Sequence, residues 1–164
     1  MAGRRAGLKR PALLVRNGVI WQLLAGNRVA SSVAMTCADP IRVTSVQDAA
    51  RLLAPTFEGA ARERLAILYL GADRVVLGLS ETRLGPEAAI ELPMRPIIAD
   101  ARRLRAASMI LAHNHPSGDP EPSAVDVAVT AAFRDAAAVF GIRIEDHLVF
   151  AGGHLRSFRS LGLL

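Results

Sequence analysis

His113-Asn114-His115-Pro116-Ser117-Gly118-Asp119-Pro120-Glu121-Pro122-Ser123-Ala124-Val125-Asp126 is the stretch from which the rest of the chain can be read. Two histidines one residue apart in an extended chain project to the same face. At the end of a strand they can converge on one ion. Pro116, Pro120 and Pro122 each fix φ and stiffen the loop that follows. Ser123 is a good helix N-cap, and Asp126 falls in the first turn behind it, where it can point back at the histidines. Two neutral imidazoles and a carboxylate leave a fourth tetrahedral position for water, the pattern of a catalytic zinc site. Local chemistry alone also allows a plainer description. Ser-x-x-Asp is an ordinary capping pair favoured by the helix dipole, Asp119 and Glu121 are simple loop acids, and the prolines are a stiff turn.

Working outward, residues 108–112 are a short apolar strand that delivers the chain to His113. Downstream, Ser123 starts a long helix with apolar positions Val125, Val129, Ala132, Phe133, Ala136 and Phe140, stopped by Gly141. Residues 142–151 and 155–158 read as strands. Upstream, Ser45 and Asp48 form a capping pair that opens a helix over 46–53, ending near Pro55. The apolar run 65–70, a turn at 71–74 and the run 75–79 make a hairpin. Residues 80–95 are loop-like, and a helix follows over 96–105, with Pro96 in its first turn. The order is helix, two strands, helix, strand, helix, strand, strand. That is an α/β or α+β fold, a sheet covered by helices.

Composition bounds the answer. A chain of 164 residues that is 51% apolar holds one ordinary domain with a packed core. The single cysteine, Cys37, closes no internal disulfide, and a four-thiolate metal site is excluded. Any metal must sit mainly on histidine and carboxylate. No uncharged run reaches the length of about 20 residues that a membrane-spanning helix needs. A soluble, cytoplasmic protein is therefore expected, with no membrane partner. Arg16 and Arg28 interrupt the early apolar stretches and no small-residue cleavage site follows, so residues near the start do not read as a signal peptide.

The charge of +5 is unevenly placed. Residues 1–38 carry Arg4, Arg5, Lys9, Arg10, Arg16 and Arg28 and no acid, so the remainder is close to neutral. A basic segment of this kind either contacts nucleic acid or an acidic partner, or is a solvated leader. Within it, Asn17-Gly18 and Gly26-Asn27 lie between apolar runs, and residues 12–36 read as a small meander. The expected division is a basic N-terminal segment over 1–38 and a domain over 39–164.

His-x-His, seven residues, Ser, two residues, Asp is matched without a gap by His113, His115, Ser123 and Asp126. On these residues the chain resembles the JAMM (MPN+/JAB) zinc metallopeptidases. The wording of 113–119, Gly141-Ile142, Asp146-His147-Leu148-Val149 and the ending 157–164 looks like the RadC branch. The resemblance covers roughly residues 39–164. Residues 1–38 do not resemble the helix-hairpin-helix region that precedes this domain in full-length RadC proteins. The resemblance implies a JAB/MPN-like mixed sheet flanked by helices, cytidine-deaminase-like in architecture. It implies Zn²⁺ held by His113, His115 and Asp126. It implies a glutamate just before the first strand of the core hairpin as general base; Glu63 occupies that position, with Glu58 and Glu81 as fallbacks. Ser123 would hydrogen-bond the developing oxyanion, at the expense of a weaker cap. His147 is expected to be a satisfied core histidine, with an outer-sphere role beside the metal as the alternative, and His154 is expected to be exposed.

The family cleaves peptide or isopeptide bonds, often after the C-terminal glycine of ubiquitin or a ubiquitin-like protein. The expected function is therefore a zinc-dependent peptidase or isopeptidase whose protein substrate lies extended along a strand edge, with contacts in 82–95. A DNA-associated role of the RadC type, acting through residues 1–38, is the alternative. A non-catalytic scaffold is a third possibility, against which the intact ligand set argues.

Overall fold

A strand covered by helices on both faces needs apolar side chains at successive positions rather than alternate ones. Leu65–Leu70 and Ser108–Ala112 have that character, and both runs are buried along their whole length. They are adjacent strands at the centre of a mixed sheet. A computed structural model describes residues 12–16, 19–23, 40–83 and 94–164, with backbone alone for 12–16, 19–23 and Arg83. In it the chain runs β1 (Ala12–Arg16), β2 (Val19–Leu23), α1 (Val46–Phe57), β3 (Arg64–Leu70), β4 (Val76–Arg83), α2 (Met94–Arg103), β5 (Ser108–Asn114), α3 (Ala124–Ala138), β6 (Arg143–Ala151) and β7 (His154–Ser157). The strand order is β2-β1-β4-β3-β5-β6-β7. Five strands, β3 to β7, alternate with the helices, and the β1–β2 hairpin joins the β4 edge. The fold is thus mixed α/β, as the order of elements implied.

Pairing is antiparallel except between β5 and β6, which run parallel with α3 as their crossover. The alternation of side chains gives the sheet two lined faces. Leu65, Ile67, Tyr69, Met109 and Leu111 pack with α2 and α3. Ala66, Leu68, Leu70, Ile110, Ala112 and Leu148 pack with α1. The register pairs Leu65 with His113 and Ala66 with Ala112, so His113 lies on the α3 face.

Several boundaries differ from the sequence expectation. The helix α1 runs through Pro55 to Phe57. A proline in the last turn forfeits one hydrogen bond, and burial of Phe57 against Phe150, ring centroids 5.0 Å apart, offsets that loss. Strand β4 continues through residues 80–83, expected as loop, because β3 supplies partners as far as Arg83. Strand β5 continues to Asn114, so His113 is inside the strand and His115 just beyond it. Val125 on α3 is exposed, as is Phe140, which lies beyond the end of the helix at Ala138, and the face turned to the core is Thr130, Phe133 and Ala137. Of the expected meander, Asn17-Gly18 separates β1 from β2, with Arg16 paired to Val19; residues 24–36 lie outside the described residues, as do 84–93 of the expected substrate segment.

Candidate metal centre

Parallel strands joined by a crossover helix bring the carboxyl end of a strand and the amino end of the helix to one side of the sheet. Here β5 ends in His113-Asn114-His115 and α3 begins at Ser123. The loop between them returns Asp126 to the histidines. One ligand atom from each of His113, His115 and Asp126 lies within 4.8 Å of the others. His113 Nε2 is 3.3 Å from Asp126 Oδ1, and His115 Nε2 is 3.3 Å from Asp126 Oδ2. The two Nε2 atoms are 2.8 Å apart.

This donor set fits a divalent ion. Two imidazoles and a carboxylate are the donor types that zinc takes, and one atom from each lies close enough to the others to share an ion. His115 Nδ1 lies 2.8 Å from the carbonyl oxygen of Asp119. A carbonyl only accepts, so Nδ1 carries the proton and a neutral His115 presents the Nε2 lone pair to the cluster. The carboxylate is ionised. Burial works to raise the Asp126 carboxyl, but contact with His113 and the hydrogen bonds from Ser123 outweigh it and hold the group well below the usual carboxylate range.

Ser123 is the N-cap of α3, and its capping box is complete. Its Oγ accepts from the Asp126 N–H at 3.1 Å and donates to Asp126 Oδ2 at 2.6 Å, while its N–H donates to the same oxygen at 2.7 Å. The cap is therefore made in full, where a weakened one was expected. The hydroxyl proton points at the Asp126 carboxylate.

Glu63 stands just before β3. The register pairs Leu65, two residues on, with His113, so Glu63 lies at the strand end where the histidines are. Glu63 is half-buried. Glu81 pairs with Ala66, which places it on the α1 face, away from the cluster. Glu58 is the exposed C-cap of α1. Among the three glutamates, the backbone brings Glu63 to the cluster's side.

Two further residues complete the surroundings, and one of them had no signal in the sequence. Asn114, buried between His113 and His115 in the chain, grips the chain on both sides of Glu63. Its Oδ1 accepts from the Arg64 N–H at 2.9 Å and its Nδ2 donates to the Arg62 carbonyl at 3.3 Å. The other is His147, which is satisfied as expected, but by the site itself. Its Nε2 is 2.8 Å from His113 Nδ1 and its Nδ1 is 2.6 Å from Thr130 Oγ1. Burial, together with the neighbouring His113, holds His147 well below the ordinary imidazole range. His154 is exposed.

The loop 116–122 is tied down at two points. Glu121 pairs with Arg156 of β7 at 2.7 Å. Gly118 meets Gly152 of the β6–β7 turn so closely that a Cβ on Gly152 would lie 3.1 Å from the Gly118 carbonyl oxygen.

Comparison with known proteins agrees with this geometry. The family model for the RadC-like JAB domain matches residues 43–163. A UPF0758 protein of Clostridium kluyveri is 36% identical over 126 residues, which is 77% of this chain and 55% of that protein. A UPF0758 protein of Rhodobacter capsulatus is 38% identical over 102 residues, 62% of this chain and 48% of that one. The UPF0758 protein YfjY of Escherichia coli is 35% identical over 124 residues, 76% and 78% of the two chains. The chain spans about half the length of most of these relatives.

Proposed function

The chain belongs to the RadC-like JAB domain family, and from that premise we propose that it is a metal-dependent hydrolase of peptide or isopeptide bonds. The observation that carries this is the convergence of His113, His115 and Asp126; the position of Glu63 just before β3 supports it as the base. Those three residues would hold the ion, and zinc suits two imidazoles and a carboxylate. A divalent ion so held supplies Lewis-acid chemistry, polarising a carbonyl and acidifying water.

The chain's own residues supply the rest. A carboxylate oxygen of Glu63 takes a proton from the attacking water and hands it to the departing amine. Asn114 fixes the backbone on both sides of Glu63, so the base is held at the strand entrance without a hydrogen bond that would compete for its oxygens. Ser123 can turn its hydroxyl from Asp126 Oδ2 toward the oxygen of the scissile carbonyl as charge develops there. An extended protein tail adds backbone hydrogen bonds along a strand edge, which suits the C-terminal glycine of a ubiquitin-like protein. Resemblance to JAMM isopeptidases supports that substrate. The DNA-associated alternative rests on residues 1–38, most of which lie outside the described residues.

The test is hydrolysis of a ubiquitin-like protein fused through its C-terminal glycine, with zinc-loaded protein, chelator and Asp126→Ala as controls. Cleavage that chelator and Asp126→Ala both abolish is the expected result. Absence of cleavage by protein shown to hold one zinc would discard that substrate. Loss of cleavage in Glu63→Gln with zinc retained is expected for the base, and full activity in that variant would remove Glu63 from the role.

A further inference from the structure

His147 contributes none of the three ligand atoms, yet it is 3% exposed and lies between a ligand and a helix. Its surroundings determine where its protons go. Thr130 has one hydroxyl hydrogen. Its Oγ1 is 2.6 Å from the backbone carbonyl oxygen of Asp126, one turn earlier in α3. Two oxygens at that distance attract only if the hydrogen lies between them, so Thr130 donates to the carbonyl. Its lone pair then faces His147 Nδ1 at 2.6 Å, and that nitrogen must carry a hydrogen. The ring is buried against Phe158, stacked at 4.7 Å, where a charged imidazole is disfavoured. Its Nε2 is therefore bare and accepts from His113 Nδ1 at 2.8 Å. With Nδ1 so engaged, His113 turns Nε2 toward Asp126 and His115.

We propose that His147 and Thr130 are positioning residues that set the tautomer of His113 and thereby build the metal site before any ion arrives. This rests on the assignment of His113, His115 and Asp126 as ligands. With Asp126 Oδ1 3.3 Å from His113 Nε2, the hydrogen bonds form a chain: His113 to His147, His147 to Thr130, and Thr130 to the backbone of Asp126. It links β5, β6 and α3, and it ties two of the three ligands to each other through groups that never touch the ion. His115 obtains the same tautomer from a loop carbonyl, that of Asp119. The two imidazoles thus turn Nε2 to the cluster by independent means, one held from the core and one from the loop. Outer-sphere partners of this kind are worth about 10–100-fold in metal affinity.

The test combines a spectrum with affinities. Long-range ¹H–¹⁵N NMR of the metal-free full chain, labelled at histidine, reads the tautomers directly. A protonated Nδ1 is expected on His113, and a protonated Nδ1 with a bare Nε2 on His147; a His113 whose Nδ1 carries no hydrogen would overturn the proposal. Zinc affinity by chelator competition is then compared across His147→Leu, His147→Gln and Thr130→Val. Leucine and valine should each weaken binding by about 10–100-fold. Glutamine should restore most of it, because its carbonyl oxygen can accept from His113 and its amide can donate to Thr130. Affinity unchanged in both His147→Leu and Thr130→Val would sink the relay while leaving the ligands intact. A wild-type chain that binds no zinc at micromolar concentration would instead remove the ligand assignment, and the proposal with it. If the variants fail to fold, the wild-type spectrum decides alone.

Discussion

The chain uses Ser-x-x-Asp twice, at the start of α1 and at the start of α3. At α1, Ser45 Oγ accepts from the Asp48 N–H, and Asp48 Oδ2 accepts from the N–H groups of Thr44 and Ser45 and from the Thr44 hydroxyl. Arg51 meets its other oxygen at 3.4 Å. At α3 the same box forms, but local donors reach only Oδ2 of Asp126, and Oδ1 faces His113. Both acids cap a helix. In each the Oδ1 oxygen lies outside the box, turned to an exposed arginine in the first and to His113 in the second, and only the second lies at the carboxyl end of a parallel pair of strands. The difference shows that what the sheet delivers to a capping box decides whether it can meet an ion, since the Ser–Asp box itself forms in both places.

Breaking the two boxes separately should show this. Asp126→Ala should lower zinc affinity by more than about 100-fold, beyond the range for outer-sphere residues. Asp48→Ala should leave that affinity within about twofold; chelator competition reads both. Metal removal should follow the same division. Zinc at about 100 times its Kd stabilises by about 2.7 kcal/mol, which for a domain of this size is about 5–10 °C in Tm. A thermal melt with and without chelator should show that shift in the wild type and in Asp48→Ala, and none in Asp126→Ala.

The serines sharpen the contrast. Ser45→Ala and Ser123→Ala should each cost about 1 kcal/mol in urea melts, the ordinary value of an N-cap. Ser123→Ala should in addition weaken zinc binding by about 10-fold, since its hydroxyl donates to a ligand oxygen. Ser45→Ala should not. The smallest effect is on pH dependence. Hydrogen bonds from the Thr44 and Ser45 side chains and backbone lower the Asp48 pKa from 3.8 to about 2. A carboxyl lowered by folding contributes stability above its unfolded pKa and loses it as pH falls toward the folded value. Urea melts between pH 5 and pH 2 should therefore lose part of their acid slope in Asp48→Asn.

The same comparison explains how much could be read from the sequence. His113, His115, Ser123 and Asp126 were legible because one strand end, one stiff loop and one helix start hold them, all within 14 consecutive residues. The order of elements from α1 to β7 was legible because apolar runs and capping signals are local. Asn114 was not, because its partners are backbone groups 50 and 52 residues away, brought by the β3–β5 pairing. The link from His147 to His113 needed the parallel β5–β6 register, which pairs Leu111 with His147 and puts both histidines on one face. Thr130 looks in the sequence like a polar interruption of an apolar helix stripe. It is buried because two hydrogen bonds satisfy its hydroxyl there. Pro55 signals a helix end, yet tertiary burial of Phe57 carries the helix past it.

The contact of Gly152 with Gly118 carries a consequence for how this protein can vary. Gly152 has φ +54°, and a methyl group there would press on the carbonyl oxygen of Gly118 at 3.1 Å. Gly118 belongs to the turn that also presents the Asp119 carbonyl to His115. The tip of the β6–β7 hairpin is therefore the floor on which a ligand's anchor rests. Any side chain accepted at position 152 must be matched by a change in the loop 116–122, although more than thirty residues separate the two along the chain. A graft of the His-x-His loop onto another sheet would have to bring its hairpin tip with it, as a mould travels with its casting.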